Sequence, residues 1–209
     1  MKVVLYGASG MIGSRILAEL VRRGHSVTAV VRHPEKLGAA KGVKPVQGDI
    51  TDKASVAAAA QSSDAAISAY SPPPSDPGMI IGATRSLLAG LATAGVRRLI
   101  VVGGAGSLEV SPGVQVVDAP EFPDTWKAIA LSHRDVLPVL READLDWTYF
   151  SPAALIEPGQ RTGKFRLGGT RLISNDRGES RISAEDYAVA LVDELENPQH
   201  LRRQFTIGY

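Results

Sequence analysis

Gly7, Gly10 and Gly13 recur at a spacing of three within Gly7-Ala8-Ser9-Gly10-Met11-Ile12-Gly13. Glycines so spaced allow a tight turn, a close approach of backbone to a phosphate, and close packing of the element that follows. Such a turn serves to hold a pyrophosphate. A helix starting behind it aims unpaired N–H groups and a positive dipole end at the anion. Met11 and Ile12 lie where those donors begin.

Three elements must position this turn. Val3-Val4-Leu5-Tyr6 is short and apolar, the pattern of a buried strand. Ile12, Ile16, Leu17, Leu20 and Val21 fall at helical spacing, and Gly24 ends the run. Ser26 to Val31 reads as a second strand. A glycine triplet in a strand–turn–helix–strand setting predicts a dinucleotide site over residues 7–13.

The whole chain has 209 residues, enough for one α/β domain with a full core. Its formal net charge of +1 implies no polyelectrolyte partner, so nucleic acid is not expected. There is no cysteine, which excludes disulfides, thiolate catalysis and cysteine metal sites. His25, His33, His133 and His200 show no ligand spacing, so no metal is expected. A first strand beginning at Lys2 and the lack of a long apolar run point to a cytoplasmic protein without a membrane partner. A small-molecule substrate and a monomer or homodimer are expected.

Strand and helix patterns alternate onward. Lys44–Gln47, Asp64–Ala69, Arg97–Val102 and Asp146–Phe150 read as strands. Lys53–Gln61, Met79–Ala94 and Asp124–Ala143 read as helices, the last despite Pro138. Leu108–Glu121 reads as irregular. The alternation predicts a Rossmann-like, doubly wound parallel sheet of six or more strands with helices on both faces. The Gly- and Pro-rich segments all fall at strand C-termini, where such sheets bind ligands. Residues 153–209 are too few for a second domain and are expected to form a small substrate-side cap. That cap would hold short strands at Lys164–Leu167 and Arg171–Ile173, a helix from Ala184 capped by Ser183, and a last strand at Arg203–Ile207.

The spacing G-x-x-G-x-x-G, as GASGMIG, resembles the extended and atypical short-chain dehydrogenases/reductases. Four further segments resemble the same family: Gly48-Asp49-Ile50-Thr51-Asp52, Gly95 to Val102, Trp147 to Ala153, and Ile182 to Ala188. The likeness is greatest to the short NmrA-like and flavin/biliverdin-reductase-like members. It implies that Asp49 meets the adenine, that Ile50 packs on its ring, and that Ala69 and Tyr70 lie on the ribose and nicotinamide side. It also implies that Pro152 and Ala153 border the nicotinamide. Turn capping remains open for Asp49, as does a half-buried loop position for Tyr70. Asp186 reads as capping charge.

The second strand ends in Val31-Arg32-His33 rather than in a carboxylate, which would repel a 2′-phosphate. A guanidinium at Arg32 can grip that phosphate with paired donors and the Ser9 hydroxyl can add another, so NADP is expected over NAD, with a solvated arginine at the strand end left open.

Active members of the family use Tyr-x-x-x-Lys plus a serine at the end of the fifth strand. Here Lys127 fits the lysine position as a ribose contact and catalytic candidate, but Pro123 stands where the tyrosine belongs. Gly103 stands near the usual serine, and Ser107 lies farther along. An ordinary carbonyl reductase is therefore not indicated. Two functions stay open: NADPH-dependent reduction of a flat acceptor such as a flavin or quinone, and a non-catalytic NADP-sensing regulator. His133, seven residues and about two turns after Trp126 on the same helix, can face the site, but a surface or core histidine is expected.

Overall fold

The structure, a computed structural model, describes residues 1–38 and 40–209. In chain order its first six strands are β1 (Lys2–Tyr6), β2 (Ser26–Val31), β3 (Val43–Gln47), β4 (Ala65–Ser68), β5 (Arg98–Val102) and β6 (Glu109–Ser111). The remaining six are β7 (Val114–Gln115), β8 (Asp146–Ser151), β9 (Leu155–Glu157), β10 (Arg166–Gly168), β11 (Arg181–Ser183) and β12 (Arg203–Gly208). The helices are α1 (Met11–Arg22), α2 (Lys53–Ala60), α3 (Met79–Ala94), α4 (Asp124–Arg134), α5 (Val136–Arg141) and α6 (Ala184–Glu196).

Eight strands form one sheet in the order β10-β12-β8-β5-β4-β1-β2-β3. All neighbours are parallel except the edge pair β10–β12. From β1 the chain builds outward through β2 and β3, then returns to β4 on the other side of β1. The order reverses between β1 and β4, and a crevice opens at their C-terminal ends. On β3, Pro45 sits opposite Ala29 in mid-strand, a position tolerated because no further strand pairs there.

Strands buried on both sides are apolar at successive positions, which is why β1 reads as an unbroken apolar run. Val3 and Leu5 join one core with Ile16 and Leu20 of α1 and Tyr187 and Leu191 of α6. Val4 and Tyr6 join the other with Val56 of α2, Leu87 of α3 and Leu140 of α5. Asp52 caps α2 through the Ala54 N–H at 2.9 Å, and Ser183 caps α6 through the Asp186 N–H at 3.0 Å.

Four expectations need correction. The helix expected over Asp124–Ala143 is two helices meeting at Asp135. Pro138 cannot donate to the Arg134 carbonyl and its ring would strike that carbonyl, so the chain restarts and the proline falls in the first turn of α5. Leu108–Glu121 contains a β6–β7 hairpin, turned at Pro112-Gly113 with Gly113 at φ +77°. Arg171–Ile173 is no strand. It makes a single bridge to Glu109, fixed by the Glu109 N–H to Thr170 O bond (2.8 Å) and the Leu172 N–H to Glu109 O bond (2.9 Å). Residues 153–209 are not wholly a cap, because β12 lies inside the sheet and α6 packs against α1 in the core.

Candidate functional site

A cavity of about 870 Å³ occupies the crevice at the strand C-termini. Gly10, Met11 and Ile12 line one side, with Ala69 and Tyr70 from the loop after β4. Gly103 and Gly104 after β5 form its floor, and Pro152 and Ala153 after β8 continue it. The far wall is Phe122, Pro123, Trp126, Ile129, Ala130 and His133 from α4 and its approach, facing Leu155 and Ile156. Among the described residues a second cavity, of about 400 Å³, lies between β3 and α2 away from the glycine turn.

The three glycines of the first turn differ in what surrounds them. Gly7 has φ +79°, and a Cβ there would stand 2.4 Å from the Ala69 carbonyl oxygen. At Gly13 a Cβ would stand 2.0 Å from the Gly7 oxygen. Both positions are closed by the protein's own backbone. A Cβ on Gly10 would meet only the Gly7 oxygen, at 3.3 Å, and Gly10 is exposed on the cavity wall with φ −73°. Neither strain nor internal packing demands a glycine there. Behind it α1 starts with no side-chain cap and no acidic residue in its first turn. Its first amides are therefore free for an external acceptor, and the dipole favours an anion.

Of the polar residues at the turn's flank, Tyr70 lines the cavity, whereas Arg32, Asp49 and Ser9 do not. Arg32 is exposed just past β2, and it makes no ion pair with the described residues. Asp49 Oδ1 accepts from the Thr51 N–H at 2.8 Å and from the Thr51 hydroxyl at 2.7 Å. The Thr51 amide, then its hydroxyl, lower the Asp49 pKa, and the nearby Arg32 charge adds to this. Tyr70 is half-buried on the wall, its pKa raised first by burial and then by the Asp49 charge. Ile50 is buried in the core beside Val30, Val56 and Tyr6. Ser9 is exposed on the turn.

The glycines after β5 are packed from behind by side chains. A Cβ on Gly103 would run into the Tyr149 ring at 2.4 Å, and one on Gly104 would meet His133 Cβ at 3.1 Å. The Tyr149 hydroxyl accepts from the Gly104 N–H at 3.2 Å and donates to the His133 carbonyl at 2.7 Å. That phenol is fully buried, and burial raises its pKa. The Ser107 hydroxyl donates to the Gly104 carbonyl at 3.2 Å and accepts from Gln204 at 2.8 Å, so it is committed to the same scaffold.

Sequence reading recovers the α4 wall only in part, by pairing Trp126 with His133 two turns on. Trp126, Ile129, Ala130 and His133 stand at i, i+3, i+4 and i+7 and share one face, the spacing that would have grouped them. Pro123 is on this wall, while Lys127, one residue off the stripe, is exposed and absent from it. His133, expected at the surface or in the core, lines the cavity instead. Its Nδ1 is closed off from solvent without a hydrogen-bond partner, and burial pushes its pKa down to about 4.

A family model described as NAD(P)H-binding matches residues 7–198. This chain belongs to the NAD(P)H-binding family. It is 38% identical to the uncharacterized protein YwnB of Bacillus subtilis, over 99% of this chain and 98% of that one. A candidate exported protein of Burkholderia pseudomallei shares 50% identity and a TM-score of 0.91, with all of both chains covered. SP1627 of Streptococcus pneumoniae, described as a candidate NADH-flavin reductase, shares 34% identity and a TM-score of 0.88 over 100% of this chain and 99% of that one. With this NAD(P)H-binding assignment the fold is oxidoreductase-like. Among the described residues no helix is long and apolar enough to cross a membrane.

Proposed function

We propose that the chain is an NADPH-dependent reductase of a flat conjugated acceptor, a flavin or a quinone. The observation that carries this reading is the character of the acceptor wall. Pro123, which the resemblance to the short-chain dehydrogenases puts in the tyrosine's position, lines the cavity, and Phe122, Trp126, Ile129, Leu155 and Ile156 make the surroundings apolar. The Tyr149 phenol beside this shelf is already bonded on both sides and pushed away from ionisation. An aldehyde or ketone needs a proton donor at the reacting oxygen, whereas a flavin or quinone takes its proton from water.

The residues present fit a dinucleotide. Gly10 leaves open the space that a phosphate needs, and the free amides of α1 face it. In this reading the Met11 to Gly13 amides hold the pyrophosphate and Asp49 meets the adenine. Arg32 grips the 2′-phosphate, and Ala69, Tyr70, Pro152 and Ala153 border the nicotinamide. A bound nicotinamide supplies a hydride, two electrons and one proton, and the acceptor gains its second proton from solvent. The chain's own work is to align two flat rings and to exclude water between them. The pneumococcal relative, described as a candidate NADH-flavin reductase, supports the acceptor class.

The test follows NADPH oxidation with flavins, quinones and small carbonyls in parallel. Turnover of a flavin or quinone, with small aldehydes at background, is expected. NADPH binding without reduction of any acceptor would overturn the reductase reading in favour of a regulator that senses NADP(H). Rapid aldehyde reduction dependent on Lys127 would overturn both.

A further inference from the structure

We propose that the His133 imidazole is the polar anchor of the acceptor, giving one hydrogen bond to a carbonyl oxygen of a planar ring lying on the Gly103–Gly104 shelf. The inference rests on the reductase reading for the identity of its ligand, and it adds what that reading leaves open, namely what orients the acceptor.

The wall around His133 is otherwise without a directional group. Trp126, Ile129 and Ala130 share its helix face, and none of them gives an acceptor carbonyl a buried donor of fixed direction. Tyr70 and Ser71 lie on the opposite side, with the loop after β4. Glu121 is exposed and, as a carboxylate, repels a carbonyl oxygen. Apart from the largely exposed Trp126 indole, His133 is thus the nitrogen-bearing side chain that the described cavity wall offers.

Its placement is tightly determined. The Tyr149 hydroxyl bonds the His133 carbonyl and the Gly104 amide together, so the ring's helix and the shelf move as one body. A Cβ on Gly104 would lie 3.1 Å from His133 Cβ, which seats the His133 side chain against the shelf. The protein also leaves this ring short of partners: Nδ1 is closed off from solvent and unbonded, whereas Nε2 is unbonded but not closed off, so Nε2 is the atom a ligand in the cavity can reach. Burial keeps the ring neutral above about pH 5, with a pKa near 4. A neutral imidazole retains one N–H and polarises a carbonyl without carrying charge into an apolar site.

The test uses the full-length protein with saturating NADPH and three forms: wild type, His133→Leu and His133→Gln. Two acceptors are compared. Menadione carries quinone carbonyls, and methylene blue is flat but has none. One neutral hydrogen bond corresponds to roughly three- to tenfold in affinity. His133→Leu is expected to lose that factor in kcat/KM for menadione and to leave methylene blue within twofold. His133→Gln, which keeps a donor, is expected to recover most of the loss. Thermal stability of His133→Leu is expected to match or exceed wild type, because an unsatisfied nitrogen is removed. Equal losses for both acceptors, no loss for menadione, or a marked fall in stability would each overturn the proposal.

Lumiflavin binding to the NADP+ complex, read by fluorescence quenching, separates the two readings. If wild type reduces nothing yet binds lumiflavin in a His133-dependent way, the anchor stands and the reductase falls. If turnover is robust and His133→Leu changes neither binding nor rate, the anchor falls and the reductase stands.

Discussion

The molecule has two glycine-rich turns at neighbouring strand ends, and they are built on opposite principles. After β1, two of three glycines are closed by backbone and the third, Gly10, faces open space. After β5, Gly103, Gly104 and Gly106 each meet a side chain, from Tyr149, His133 and Ala130. The first turn leads into a twelve-residue helix with an uncapped start, whereas the second leads into a three-residue 3-10 turn. An uncapped α-helix presents a row of free amides, and a short 3-10 turn does not. The first turn is therefore suited to receive a charged group against bare backbone. The second is suited to be a rigid floor. Similar composition in sequence serves recognition in one place and support in the other.

Substitutions sharpen this contrast, and the largest effect is expected inside the first turn. Gly13→Val would push a Cβ into backbone at 2.0 Å, which no side-chain rotation relieves. Expression without soluble folded protein is the expected result, read by circular dichroism. Gly10→Leu should behave in the opposite way. Its melting temperature should fall only slightly, because N-cap replacement costs about 1 kcal/mol. Its NADPH affinity, measured by calorimetry, should fall about a hundredfold or more, corresponding to about 2.7 kcal/mol, because the side chain fills the phosphate's place. Unchanged affinity in a folded Gly10→Leu protein would remove the basis for placing a pyrophosphate there.

In the second turn the effect is expected in stability rather than cofactor affinity. Gly103→Ala drives a methyl into the Tyr149 ring, and overpacking of this kind costs about 1–3 kcal/mol. Melting should drop by several degrees while NADPH affinity stays within a few-fold. Arg32→Ala, at the flank of the first turn, should lower NADPH affinity about tenfold and leave NADH affinity unchanged, because only the 2′-phosphate loses its partner. Equal cofactor affinities in wild type would overturn the role given to Arg32.

A pH limb is expected from His133 on α4, which packs against the second turn. His133 has a pKa near 4 when folded and about 6.5 when unfolded. Between these values the unfolded chain binds a proton that the folded chain refuses, so stability is complete above about pH 6.5 and declines as pH falls toward 4. A few degrees of melting temperature should be lost over that window. His133→Leu should remove this limb and retain the loss below it. The later loss belongs to carboxylates such as Asp49 and Asp186, whose pKa values are lowered in the fold.

The sequence displays what depends on period and on backbone chemistry. Alternating apolar runs identify the parallel sheet, and glycine spacing identifies the first turn, because both are local patterns. The α4 wall is hidden for a different reason. Its helix buries none of its residues fully, so spacing pairs Trp126 with His133 without assigning that face to the site, and only tertiary placement against Gly104 turns it toward the crevice. The β6–β7 hairpin is short, and its Pro112-Gly113 turn was its single local signal. Ile50 shows the converse case, a motif residue whose buried position in the core follows from packing with Val30 and Val56.

Pro45 has a consequence beyond its own strand. A parallel sheet ends at two borders, and each border is a template on which a foreign strand can polymerise. On one border Pro45 interrupts the row of donors in the middle of β3. On the other, β10 is three residues long and runs against its neighbour, too brief to seed an extended pairing. The sheet is thus self-terminating in both directions. Crowding or partial unfolding that exposes these borders still offers a poor primer for fibre growth.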